Sequence, residues 1–455
     1  MDSEKPDLPT RNEQVDDVDC LTECEDHDES KWEAIQKQPQ AFAWCLFAIW
    51  ITLLVSFENQ ASGSIIGIPQ FRKDFGSYYE GDYVIPAHWQ SAFSAAPVAS
   101  TAIGALMAGQ IADWMGRKRI VMLGLFVSYV AITMEFVSTT NQLFFSGKFL
   151  NGFAVGTLAS VCPTYIGEIS PLALRGLFTC SIALAYTVGA LTAAIILNST
   201  ATSQTRWAYR AVFASQYGFA AIGTIFVIFM PESPWWLVLK GEDELALKSL
   251  RLLGCKDGSK RLALIKLTLK RIRRETEGVS YAECFRHSNF RRTIISIAPL
   301  SITAFCGVTF FGTYFTYYMQ LAGYSTTMSF KLSIALQAVA MLGNVCSWGL
   351  VDYVGRRSLT LWGTASLTVI LFLIGGLATA ATTSAITGAV ALIIVTFIFG
   401  CFSILCAVYL WFFQVETMGR SYAELDEMFM KRVPARKFIT YVSEEQSRTQ
   451  DGEEK

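Results

Sequence analysis

The stretch GQIADWMGRKR at residues 109–119 returns in shorter form as GLVDYVGRR at residues 349–357. Each copy follows one long apolar run and precedes another. An internal repeat within a series of membrane spans is the mark of a transporter built from two related halves. It fixes a class, a topology and an expected symmetry, and the symmetry shows where the chain falls short of its own plan.

Only 16% of the 455 residues are charged and 52% are apolar, whereas soluble domains carry about 25% charge. Mean hydropathy is +0.36. The chain reads as all-α and polytopic. A span needs about 20 predominantly apolar residues, and ten windows qualify: 41–66, 90–111, 120–138, 143–165, 177–197, 212–230, 293–319, 332–354, 359–380 and 386–413. The first and last are long enough to tilt or to extend beyond the bilayer.

Lys and Arg set the orientation. Arg117, Lys118 and Arg119 follow the second window, Arg175 the fourth, and Arg356 and Arg357 the eighth. Eleven basic residues lie between Lys240 and Arg274, in the segment joining the sixth and seventh. The opposite loops are poor in basic residues, so both termini are expected in the cytosol. The organisation reads as an acidic disordered tail over 1–40, a six-helix half over 41–230, a cytosolic helical linker over 231–292, a second half over 293–415 and a cytosolic tail over 416–455. The tail lacks the basic and apolar regions of a signal peptide.

A net charge of −1 gives no basis for a nucleic-acid partner. With three His in all and only a lone CxxxC at Cys20 and Cys24, no metal or cofactor is expected, and a membrane enzyme is disfavoured. Most other cysteines lie in apolar runs and read as small packing residues. Asn198-Ser-Thr follows the fifth window and is a glycosylation acceptor sequence in an outer loop. Asp113 and Arg117 lie four apart at a helix end, so they can pair with each other or with a neighbouring helix. Gly104, Gly152, Gly156 and Gly189 permit close helix approach. The two prolines of PESPWW cannot continue a helix and mark a stop. Glu58 reads as the one acid in the middle of an apolar span. On insertion scales such a residue costs about 2.5–3.5 kcal/mol, which makes it functional by default.

Six stretches then carry a resemblance: GQIADWMGRKR, GKFLNGFAVG, PTYIGEISPLALRG, PESPWWLVLKG, YAECFRHSNFRRT and VETMGRSYAELDEMF. Together they resemble the sugar-porter branch of the major facilitator superfamily, and more narrowly the fungal α-glucoside and hexose proton symporters. The resemblance implies two six-helix halves rocking about a midplane site, in a monomeric plasma-membrane protein whose partners are a small-molecule substrate, protons and the bilayer. It also implies a cytosolic latch from Asp113, Arg117, Glu168, Arg175 and Glu232, with Asp352, Arg356 and Arg357 as its mirror set. Glu58 stands where the family has its proton-binding acid, usually Asp. Lys148 stands where the family commonly has an Arg facing that acid, able to keep it ionised until a proton arrives.

The chain departs from the family at the substrate level. The usual Gly-Gln-Leu of the fifth span reads Gly189-Ala190-Leu191. The usual Gln pair of the seventh falls on Thr303 and Ala304, and the usual Asn on Thr309. The substrate candidates that remain are Thr303, Thr309, Thr313, Tyr314 and Asn344, with Tyr317, Tyr318 and Gln337 at the same level. Such a pocket is more aromatic and poorer in the amides that match sugar hydroxyls. Length departs too. Arg119 to Pro231 spans 112 positions but Arg357 to Val415 only 58, a shortfall of 54, so about two spans of the second half are missing. The window 386–413 reads as the start of a tenth span fused to the end of a twelfth. The leading expectation is a proton-coupled transporter of a sugar or sugar-like metabolite. The alternatives are a transport-incompetent or sensor-like relative, or an exporter of a non-sugar metabolite.

Overall fold

The computed structural model describes residues 31–79, 82–276, 285, 290–380, 386–417, 428–429, 431, 433–438 and 441. Most of the acidic tail, the end of the linker and most of the final tail lie outside the described residues. Among the described residues ten helical stretches are long and apolar enough to cross a membrane, as the windows predict, the seventh, Phe290–Gly312, running over a break between two shorter helices. Six come first: α1 (Pro39–Ser64), α2 (Ala87–Met115), α3 (Arg117–Val137), α4 (Asn141–Ile169), α5 (Leu172–Thr200) and α6 (Trp207–Phe229). Three shorter helices follow in the linker: α7 (Pro234–Leu239), α8 (Asp243–Leu252) and α9 (Gly258–Thr276). The second half holds α10 (Phe290–Phe305), α11 (Val308–Leu321), α12 (Thr326–Val354), α13 (Arg356–Ala380) and α14 (Ile386–Phe413). Between α1 and α2 lie a short helix, Pro69–Phe75, and a two-stranded antiparallel hairpin, Ser77–Tyr79 with Asp82–Val84.

The described residues fall into two compact units. The first takes the chain up to Ser62, then Gln70–Ile196 and Ser203 through the linker helices. The second takes Gly63–Pro69, Leu197–Thr202 and the chain beyond the linker.

Close packing in the first unit rests on the small residues the sequence offers. A Cβ on Gly104 would strike the Phe153 carbonyl, one on Gly152 the Pro97 backbone, and one on Gly156 the Thr101 backbone. With only hydrogen at these positions, α2 and α4 meet backbone to backbone, and Thr101 Oγ1 donates to the Gly152 carbonyl at 2.9 Å. The linker rides on this unit. Ser233 caps α7, Pro234 occupies its first turn, and the Trp236 indole donates to the Asp113 carbonyl at 2.9 Å. Trp236, Leu237, Ala246, Leu250, Leu262 and Ile265 form its small core.

In the second unit the seventh window is broken. α10 ends at Phe305, and Gly307, at φ 74°, starts α11. A Cβ on Gly307 would sit 2.5 Å from the Phe399 ring, so the break is held against α14. The fifth helix runs to Thr200, which corrects the loop expected at Asn198. That residue lies in the helix's last stretch, its Oδ1 buried without a hydrogen bond.

Candidate functional site: a buried charge cluster and two capped helix hairpins

Four helices of the first unit bring polar side chains to one buried point. α1 supplies Glu58 and, one turn on, Ser62; α3 supplies Glu135; α4 supplies Lys148 and Asn151; α6 supplies Gln216. Exposure is 5% at Glu58, 0% at Glu135 and 1% at Lys148, so water does not dilute their charges. Lys148 Nζ lies 3.2 Å from Glu58 Oε1 and 3.3 Å from Glu135 Oε2. It donates to Ser62 Oγ at 2.5 Å, and Ser62 donates in turn to Glu58 Oε1 at 3.1 Å. Gln216 Nε2 donates to Glu58 Oε2, and Asn151 Nδ2 to Glu135 Oε1 at 3.1 Å. The rings of Phe144 and Phe213 close the ammonium's remaining sides, with centroids at 5.3 and 5.0 Å. Gly147 gives Glu135 room, since a Cβ there would lie 2.9 Å from Glu135 Cγ.

The expected pairing of Glu58 with Lys148 is therefore present. The expectation that Glu58 stands alone as an acid within a span is corrected, because Glu135 is equally enclosed and faces the same lysine. The signal that would have found it is an acid inside an apolar run, only thirteen positions before Lys148.

The second feature is the repeated motif. Gly116, at φ 95°, is the single residue between α2 and α3, and Gly355, at φ 85°, is the single residue between α12 and α13. A one-residue turn of this kind exposes the first N–H groups of the following helix. Glu232 fills that position in the first unit: its carboxylate accepts from Arg117 N at 2.8 Å and from Lys118 N at 3.1 Å. Glu416 does the same in the second, accepting from Arg356 N at 3.1 Å and Arg357 N at 3.0 Å. A carboxylate suits a helix N-terminus because it satisfies orphan donors and opposes the helix dipole. Glu416 was not among the expected residues. The parallel Pro231-Glu232-Ser233 and Val415-Glu416-Thr417, each just past a span, is the sequence signal for it.

Side-chain charges complete the first copy. Arg117 forks onto Glu168, with NH2 at 2.7 Å from Oε1, and also lies 3.1 Å from Asp113 Oδ1. Arg175 does not join them; its guanidinium donates to the Gly167 carbonyl at 3.3 Å. In the second copy Arg356 reaches Thr417 Oγ1 at 3.5 Å and Arg357 the Trp411 carbonyl at 2.9 Å. The side chain of Asp352 lies outside the described residues.

The expected substrate residues are less convergent. Thr303 is exposed and its hydroxyl donates to Leu300 O of its own helix at 2.6 Å. Asn344 Oδ1 accepts from the Trp348 indole on its own helix at 3.2 Å. Tyr314 belongs to an aromatic group with Phe310 and Tyr318, at 5.2 and 6.3 Å. Thr309 and Thr313 share α11 with it, but their side chains lie outside the described residues. Among the described residues no His, Cys, Asp and Glu cluster fit for a metal occurs.

Residues 44–417 match the family described as Sugar (and other) transporter. The maltose permease MAL31 of Saccharomyces cerevisiae is 30% identical over 85% of this chain and 66% of its own length. The alpha-glucosides permease MPH3 of the same species is 31% identical over 77% of this chain and 60% of its own. The chain thus spans about two-thirds or less of the length of these relatives. Among solved structures, the xylose transporter XylE of E. coli in a partially occluded inward-open conformation superposes with a TM-score of 0.66 over 84% of this chain and all of its own, at 19% identity, which speaks to fold. With ten apolar helical stretches among the described residues and two matching hairpins, this chain is a multi-pass membrane protein belonging to the sugar transporter family, with the major facilitator fold.

Proposed function

We propose that the chain is a secondary transporter moving a sugar or sugar-like metabolite by alternating access, with proton entry at Glu58 driving uptake. The observation that carries this reading is the enclosed Glu58–Lys148 pair, at 3.2 Å. A buried ion pair is costly to keep and costlier to break on one side, by about 3–5 kcal/mol. Protonating Glu58 removes its attraction for Lys148 and so gives one proton leverage over four packed helices. The capped hairpins and the Arg117–Glu168 pair serve as the latch at the cytosolic end, both termini lie in the cytosol, and the plasma membrane is the site of action. The permease relatives favour an α-glucoside; the missing amides at Ala190 and Thr303 favour a compound larger or less polar than a hexose.

The test is uptake of labelled maltose and labelled glucose by cells without permeases of their own, with and without a protonophore. Glu58→Gln should abolish uphill accumulation and leave downhill exchange partly intact. Equal loss of both, in protein that reaches the surface, would overturn the proton role. A second reading, a transport-incompetent or sensor-like relative, is favoured by the thin packing of the second half: no residue of the most apolar 18-residue stretch of α12 is buried. Surface-localised protein that moves neither sugar would support it.

A further inference from the structure

The buried cluster holds two carboxylates and one ammonium. Glu135 is fully enclosed, and its Oε2 receives no hydrogen bond; its polar neighbour is Lys148 Nζ at 3.3 Å. The other Oε is held by Asn151, and the backbone carbonyl by Ser138 Oγ at 2.7 Å. The charges that bear on Glu135 are those of Glu58 and Lys148. Arg210, on the α6 face packed against α3, lies instead over the Phe136 ring at 5.5 Å. Taken fully ionised, the cluster carries one uncompensated negative charge among aromatic and aliphatic side chains, where an unpaired charge is strongly disfavoured.

We propose that Glu135 is a second proton-binding carboxylate, and that Glu58 and Glu135 together hold one proton around Lys148. The proton adds to an oxygen of one acid, and Lys148 pairs with the other. The loaded cluster is then electroneutral whichever acid is protonated. With the proton gone, two carboxylates share one ammonium, and the net charge favours recapture. Lys148 therefore always has an ionised partner, which a single facing acid would not provide. This rests on reading Lys148 as the cation of the coupling site.

The arrangement predicts a spectroscopic pattern independent of transport. The purified full chain in detergent at pH 7 is compared with Glu58→Gln, Glu135→Gln and Lys148→Met by infrared difference spectroscopy of the protonated carboxyl band. One such buried carboxyl should be present in the unmodified chain. Either Gln variant leaves one carboxylate facing one ammonium, so the band should vanish in both. Lys148→Met leaves two carboxylates without a cation, so the band should double. If Glu135→Gln does not fold, as judged by size exclusion, Glu58→Gln and Lys148→Met carry the same test. A band that survives in Glu135→Gln, or is absent from the unmodified chain, overturns the proposal. So does a band seen in choline but not in sodium, which would make the occupant a metal cation. Failure of maltose uptake with the band pattern intact would fail the transport reading alone.

Discussion

Lys148 reaches Glu58, Glu135 and Ser62 from one position on α4, and two phenyl rings close over it. Its removal leaves both acids without a cation, so that each must take a proton to stay buried. Lys148→Met should lower stability by about 3–5 kcal/mol at neutral pH, the usual cost of leaving a buried pair half-broken. The loss should shrink in acid, where the two carboxyls that stay protonated in the folded variant cost less to keep neutral. Thermal unfolding in detergent at pH 5.5 and pH 8 measures this; a loss of equal size at both would assign Lys148 a packing role. A second residue-scale expectation concerns Arg117, whose planar fork meets Glu168 through both Nε and NH2. Lys cannot form that fork, so Arg117→Lys should cost about 1–2 kcal/mol, read from the same unfolding curves.

Legibility at this scale followed the hydropathy contrast. Glu58 stands out because it interrupts an apolar run, and Lys148 through the family resemblance. Glu135 does not, because it lies three positions from the end of its window and resembles a residue at the membrane boundary. The substrate residues were the least legible. The family resemblance singles out Thr303 and Asn344 at the substrate level of their helices. A resemblance of motifs does not reveal that their polar atoms are engaged within those helices, by Leu300 and Trp348.

At the scale of elements, the two hairpins α2–α3 and α12–α13 solve one problem twice. A single glycine with positive φ turns the chain, and a distant carboxylate takes up the N–H groups that the turn leaves open. Deleting either carboxylate should have a similar effect. Glu232→Ala and Glu416→Ala should each cost about 1–2 kcal/mol, the range for N-terminal capping and dipole contacts in partly buried settings. Matched drops in unfolding temperature would bear this out. A drop in Glu232→Ala alone would show that the second cap is idle. The glycines and charges of these hairpins were plain in the sequence because the motif is repeated. Their capping acids were less plain, since each lies on another element, 115 and 60 positions from the first N–H it holds. The break at Gly307 was invisible for a different reason. Hydropathy runs smoothly through AFCGVTFF, and composition carries no record of backbone angle.

At the scale of the whole molecule, the two halves differ in how well their spans are covered. In the first half, between 28 and 61% of each apolar window is buried; in the second, between 0 and 24%. The spacing of the helices runs parallel to the difference. Between α3 and α6 the first half has α4 and α5, whereas α14 begins six positions after α13 ends. On the reading that the 54-position shortfall is the loss of helices that would flank α12 and α13, the exposure of Leu342, Trp362 and Leu405, each more than 60%, follows. Loss of one whole span and two half-spans, the reading that the shortfall suggests, would keep the count even. On the proposed topology, ten crossings with the loops richest in Lys and Arg on one side, the N-terminus and the C-terminus should face the same compartment. Epitope tags at both ends should then be protected from protease added to intact cells, while a tag in the Ala201–Thr205 region should be cleaved. α14 decides the outcome, since at 28 residues it is long enough to cross once with tilt. A C-terminal tag cut from outside would show that α14 does not cross. Glu416 could then not reach the basic ends of α13 from the cytosol, and the mirrored cap and the even count would fall together.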